Sequence, residues 1–232
     1  MSFTISGTTK WYVATGFVAI AAVVGVALVT ALGGGTAEAA GDNKVTHSNV
    51  YRFADGSEVE SAKATLVRSK SGVTTTLNTD QLDANTGYTM WWVIFNDPRE
   101  CENPIPGLTT CGESDLLLFG GKPEINSSVL FAAGNVVGGT GLVSFGAYLE
   151  EGVLPTGNGQ VTWGPGLVDA KRAEIHLVVR SHGPVVPDIE EAQISSFGGG
   201  CTEETDPSGT GPAGSFACVD HQFAVFVPHK LK

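Results

Sequence analysis

Residues 82–96 read Leu82-Asp83-Ala84-Asn85-Thr86-Gly87-Tyr88-Thr89-Met90-Trp91-Trp92-Val93-Ile94-Phe95-Asn96, a turn-forming stretch that runs into an unbroken row of bulky side chains. Side chains alternate between faces along a strand, so Met90, Trp92 and Ile94 share one side and Trp91, Val93 and Phe95 the other. A strand with large apolar groups on both faces must be covered on both. The stretch therefore predicts a central strand, packed against a second sheet on one side and against loops or another layer on the other. A sugar-stacking role for Trp91 or Trp92 is the alternative, and the apolar neighbours on either side favour core packing.

Outward from this strand the pattern repeats. Short apolar or alternating runs are bounded by Gly, Pro, Asn, Asp or Ser, which is the signature of strands joined by turns. Expected strands are Val59–Arg68, Val73–Leu77, Tyr88–Asn96, Asp115–Phe119, Val129–Val137, Leu142–Glu150, Arg172–Ser181, Gln193–Phe197 and Phe216–Val227. No window of helical length carries a 3.6-residue apolar stripe. About nine strands without alternating helices predict an all-β fold, an antiparallel Greek-key sandwich. Leu82, Thr86 and Tyr88 fit L-x-x-x-T-x-Y, which resembles the corner of immunoglobulin-like and fibronectin-like sandwiches. That resemblance implies a bond from the Tyr88 hydroxyl back to the backbone. Residues 33–48, Leu154–Leu167 and Thr202–Gly214 are expected to be loose.

The chain has 232 residues, 24 acidic against 13 basic, for a net charge of −11, and 16% are charged. Ample apolar side chains with low charge exclude a disordered chain, and the absence of a cationic cluster excludes a nucleic-acid partner. Trp11 to Leu32 is uncharged, follows Lys10, and precedes Ala37-Glu38-Ala39, a signal-peptidase spacing that predicts a mature start at Ala40. At about 22 residues the run is also long enough to remain as a membrane anchor. Under either reading Lys10 keeps the N-terminus inside and residues 40–232 are exported as one domain.

Cysteine usage agrees with export. Cys101, Cys111, Cys201 and Cys218 form two local groups, and oxidising compartments are where such pairs persist. Four cysteines allow three pairings. Proximity and the turn-rich intervening loops favour Cys101–Cys111 with Cys201–Cys218.

Arg172–His182 is the stretch most able to carry chemistry. Alternation places Glu174, His176, Val178, Arg180 and His182 on one face, against Ile175, Leu177 and Val179 on the other. Glu174 and His176 are roughly 7 Å apart and can share a proton or a metal, whereas His182 lies about 20 Å from His176 on a straight strand. The two histidines meet only if Ser181–Pro184 turns back. Zinc or copper needs three or four ligands, so the candidate metal set is Glu174, His176 and His182 with His221; His47 and His229 are isolated. The bland alternative is a polar sheet face in which Glu174 and Arg180 make cross-strand pairs. Cys218-x-x-His221 has blue-copper spacing, but requires a free thiolate and an axial Met that the chain does not supply. Phosphate loops, nucleophile elbows, HExxH and dinucleotide fingerprints are absent.

Residues 77–101, with CGESDLLLF, RAEIHLVVRSHGP, FGGGC and CVDHQFAVF, are similar to a group of uncharacterised exported bacterial proteins, which implies a β-rich exported fold and no particular activity. VTTTLNTDQL and AEIHLVV also resemble the CHRD module of chordin-type and bacterial extracellular proteins, although Glu174-Ile175-His176 stands where that module has His-x-His. The expected function is binding or display at the cell surface by loops on a rigid sandwich, without a cofactor and with an extracellular ligand or surface partner. The alternatives are a zinc- or copper-dependent extracellular protein, and a structural subunit that self-assembles through Phe223–Val227 as an exposed strand.

Overall fold

The computed structural model describes residues 43–156, 162–201 and 216–228, with Thr162 described in its backbone alone. The apolar leader with its cleavage site, residues 157–161, the expected loose segment Thr202–Gly214 and His229 lie outside the described residues. Ten strands are present among the described residues: β1 (Lys44–Ser48), β2 (Val50–Arg52), β3 (Lys63–Arg68), β4 (Gly72–Thr79), β5 (Thr86–Phe95), β6 (Ser127–Val137), β7 (Val143–Glu150), β8 (Thr162–Trp163), β9 (Glu174–Pro184) and β10 (Val219–Phe226). They form two antiparallel sheets, ordered β1-β3-β4-β7 and β2-β10-β9-β5-β6-β8. One short helix, α1 (Glu190–Ser195), accompanies them. Among the described residues no helix is long and apolar enough to cross a membrane.

Strand alternation builds the core between the sheets. β4 buries Val73, Thr75 and Leu77 and exposes Thr74, Thr76 and Asn78. Val73 and Leu77, with Ala64 and Leu66 of β3 and Phe145 and Leu149 of β7, meet Met90, Trp92 and Ile94 of β5 and Ile175, Leu177 and Val179 of β9 in one cluster. β5 is central, paired to β6 on one side and β9 on the other, and all ten of its residues are buried. The corner before it forms as expected: the Asp83 amide donates to the Tyr88 hydroxyl oxygen at 3.1 Å.

Both disulfides pair locally, Cys101 with Cys111 and Cys201 with Cys218, each with Cα atoms 5.1 Å apart. Two such bridges favour an oxidising, extracytoplasmic compartment.

Several expectations are corrected. Asp115–Phe119 is not a strand but parts of two 3-10 turns, Glu113–Asp115 and Leu117–Phe119. The cause is Asp115, whose carboxylate accepts the amides of Glu102, Asn103 and Gly112 and so folds the chain on itself. Gln193–Phe197 is replaced by α1. Gln193 donates Nε2 to the carbonyls of His182 and Pro184 and accepts the Val186 amide, holding one helical turn against the end of β9. α1 touches the larger sheet at Gly134, where any Cβ would collide with the Ile194 carbonyl.

Lys44–Ser48, expected to be loose, is edge strand β1 on β3. β8 falls inside the expected loop 154–167 and edges the larger sheet. Val59–Ala62 precedes β3 as a turn, with the Ala62 amide on the Val59 carbonyl. Within Phe223–Val227, β10 pairs with β9 as far as Phe226 and with the short β2 at Phe223 and Ala224, so it lies inside the sheet order at those two positions.

Candidate functional site

Odd-numbered residues of β5 and even-numbered residues of β9 turn away from the sandwich core. Trp91, Val93 and Phe95 join Val129 of β6 and Val178 of β9 in a second apolar cluster. Among the described residues no sheet covers it. Its cover is the connection between β5 and β6, which contributes Cys111, Leu116 and Ile125 and is closed on itself by the Cys101–Cys111 bridge.

This roof leaves a cavity of about 380 Å³. The floor is Trp91, Val93, Phe95 and Val178, with Phe223 toward the β10 side and Leu116 and Phe119 above. Its mouth keeps apolar surface in solvent: Phe119 is 52% exposed, and Phe53 and Ile105 are exposed beside it. Charged and titratable residues at the lining are Arg52, Glu113, Asp220 and His176. Arg52 is held by Ser57, the Glu58 carbonyl and Gln81. Asp220 accepts from Arg180 at 2.9 Å.

Glu174 ties the roof to the sheet. It is 0% exposed, and its carboxylate accepts the amides of Thr110 (3.0 Å) and Cys111 (3.0 Å) and Nε2 of His176 (2.8 Å). An ionised carboxylate only accepts, so Nε2 of His176 carries the proton in that bond. Burial pushes the Glu174 carboxyl up, but the His176 bond and charge and the two amides outweigh it and hold it below the usual value. Asp115 does the same work within the roof. Burial opposes its ionisation, while the amides of Glu102, Gly112 and Asn103 and the Asn103 side chain favour it, with a net lowering.

At the far end of β9, His182 is fully buried. Nδ1 lies 2.7 Å from the Gly199 carbonyl, which only accepts, so Nδ1 donates. Nε2 then accepts from the Thr89 hydroxyl at 2.8 Å, and that oxygen accepts from the Trp91 indole at 2.6 Å. The network specifies a neutral ring. Burial lowers its pKa to about 4, with the Arg180 charge adding to the effect and the Gly199 bond opposing it. The ring also abuts the second bridge, 3.5 Å from the Cys218 sulfur.

The candidate metal set is therefore not assembled. Glu174 and His176 touch, but β9 runs straight through Ser181 to Pro184, so His182 stays at the other end with both nitrogens engaged. His221 stands edge-on to Tyr88, ring centres 5.9 Å apart. Among the described residues two groups bring three donor atoms together, His182–Cys201–Cys218 and Cys101–Cys111–Asp115, and in both the cysteines are bonded to each other. The same bridge occupies Cys218 of the blue-copper spacing.

The polar face of β9 exists but is roofed instead of solvated: His176 is 6% and Arg180 7% exposed. Arg180 makes the expected cross-strand pair, with Asp220, and its guanidinium sits 4.2 Å over the Phe197 ring. Trp91 and Trp92 are both buried, as core packing requires. Nothing in their sequence context singles out Leu116, Phe119, Asp115 or Phe197 as site residues. The outward row Trp91, Val93 and Phe95, next to a disulfide loop, is the one signal that points toward them.

Comparison with family models, with curated proteins and with solved structures returned no match to this chain.

Proposed function

We propose that the protein is an exported binding protein, released or held at the cell surface, that takes an apolar small molecule into the cavity on the outer face of its larger sheet. The observation that carries this reading is the cavity itself. It is of ligand size, walled by aromatic and aliphatic side chains, and open through an apolar mouth. Apolar surface left in solvent beside such a cavity is otherwise unfavourable for a soluble domain. Binding is favoured over catalysis because three of the carboxylates at or beside the cavity serve the structure, Glu174 and Asp115 holding the roof and Asp220 holding Arg180. That leaves Glu113 as an exposed carboxylate at the lining, without a second catalytic group beside it, among the described lining residues, that is free of a structural bond. The two disulfides support an extracytoplasmic site of action.

Titration with a neutral naphthyl probe, followed by calorimetry, tests this. Saturable one-to-one binding that is lost when the cavity is filled by Val178→Trp, with the far-ultraviolet spectrum unchanged, is the expected result. Absence of saturable binding to the native protein would overturn it.

A further inference from the structure

Of the four charged or titratable residues at the cavity lining, Arg52, Glu113, Asp220 and His176, the histidine lies on the sheet among the aromatic and aliphatic side chains. His176 is nine-tenths buried, lines the cavity, and packs its ring 5.1 Å from that of Phe95. Its Nε2 is committed to Glu174, whose carboxylate is fixed in turn by the Thr110 and Cys111 amides, so turning the ring breaks its bond to a held acceptor. Nδ1 has no hydrogen-bond partner among the described residues and, unlike Nδ1 of His221, is not sealed from solvent. A ligand that covers this nitrogen without bonding it leaves a hydrogen bond unmade, which is costly, and a ligand that bonds it avoids that loss.

Resting on the binding reading above, we infer that the ligand is an apolar alcohol or phenol whose hydroxyl bonds Nδ1 of His176. A hydroxyl suits this nitrogen in both states of the ring, because it can donate to the lone pair of the neutral imidazole or accept from the N–H of the cation. A carboxylate does not suit it. The buried charge of Glu174 lies against the same ring, Glu113 and Asp220 stand at the lining, and Arg52, the one permanent cation there among the described residues, is engaged by Ser57 and Gln81. Fatty acids and other apolar anions are thereby disfavoured, and a purely hydrocarbon ligand leaves Nδ1 unsatisfied.

The test compares 1-naphthol, 1-methylnaphthalene and 1-naphthoate on the full chain by calorimetry. One hydrogen bond corresponds to a preference of about 3- to 10-fold, so naphthol binds more tightly than methylnaphthalene by that factor, and naphthoate binds most weakly. In His176→Leu the naphthol preference disappears while methylnaphthalene affinity stays within about twofold. Because this substitution also releases Glu174, a second measurement uses the native protein: the ¹⁵N signal of His176 Nδ1 shifts on adding naphthol and stays in place with methylnaphthalene. Equal affinity for naphthol and methylnaphthalene, or an unmoved Nδ1 signal, overturns the hydroxyl preference and leaves the binding reading intact. Failure of all three probes to bind overturns both.

Discussion

On its inner side β5 presents Met90, Trp92 and Ile94 to a core completed by another sheet; one residue along, on its outer side, Trp91, Val93 and Phe95 meet a loop. The two faces are nearly equal in bulk and differ in what covers them. A sheet arrives with its backbone bonds already made and with side chains at a spacing that interdigitates. A loop brings unpaired amides, and burying those without partners is expensive. That is why the outer face contains the buried carboxylates Glu174 and Asp115, each accepting several amides of the roof, while the inner core contains none among the described residues. Irregular cover also fills space less completely, and the cavity is the result.

The largest difference between the faces is expected in the tryptophans. Trp92→Ala should cost about 3–5 kcal/mol in urea unfolding, whereas Trp91→Ala, beside an existing cavity, should cost less by about 1 kcal/mol or more. Equal losses would mean that both faces are packed alike. Next is the roof's staple. Replacing Cys101 and Cys111 together with Ser should cost about 2–3 kcal/mol, lower the melting temperature and abolish naphthyl binding, with the inner face still folded by near-ultraviolet spectroscopy. An unchanged melting point would make that bridge peripheral.

A local effect is expected for the carboxylate tie. Glu174→Gln keeps the shape and removes the charge, so protection of the Thr110 and Cys111 amides from hydrogen exchange should fall while amides of β3 and β4 keep theirs. Uniform change across both sheets would refute the regional role of Glu174.

The smallest effect is graded acid loss. His182 has a folded pKa of about 4, below its unfolded value near 6.5, so the unfolded chain takes up the proton first. Its contribution is complete above the unfolded value and is lost as pH falls toward about 4. Burial lowers His221 as well, which adds to the same window. Glu174 and Asp115, both lowered, contribute above the usual carboxylate range and are lost below it. Stability should thus decline in two stages, with the upper one reduced in His182→Gln.

Legibility in the sequence divides along the same line. The two-sided reading of TMWWVIFN, the Tyr88 corner, the local cysteine pairs and the sorting of β9 into two faces are all accessible, because each rests on period-two alternation or on nearby residues. β1 is not, since as an edge strand it buries no large apolar side chain. Asp115–Phe119 and Gln193–Phe197 mislead because a short apolar run looks the same in a strand as in a turn, and what decides between them is a side-chain bond to a distant amide or carbonyl. The cavity depends on how a loop of some thirty residues settles over a sheet, which no local pattern encodes.

The contrast between the faces is tested most directly by methyl NMR of the protein saturated with 1-methylnaphthalene. Shifts should be confined to methyls that line the cavity, Val93, Val129 and Val178 of the sheet and Leu116 of the roof among them, with Leu66, Leu77 and Leu177 in the inner core unmoved. Shifts in the inner set, or none in the outer, would contradict the account.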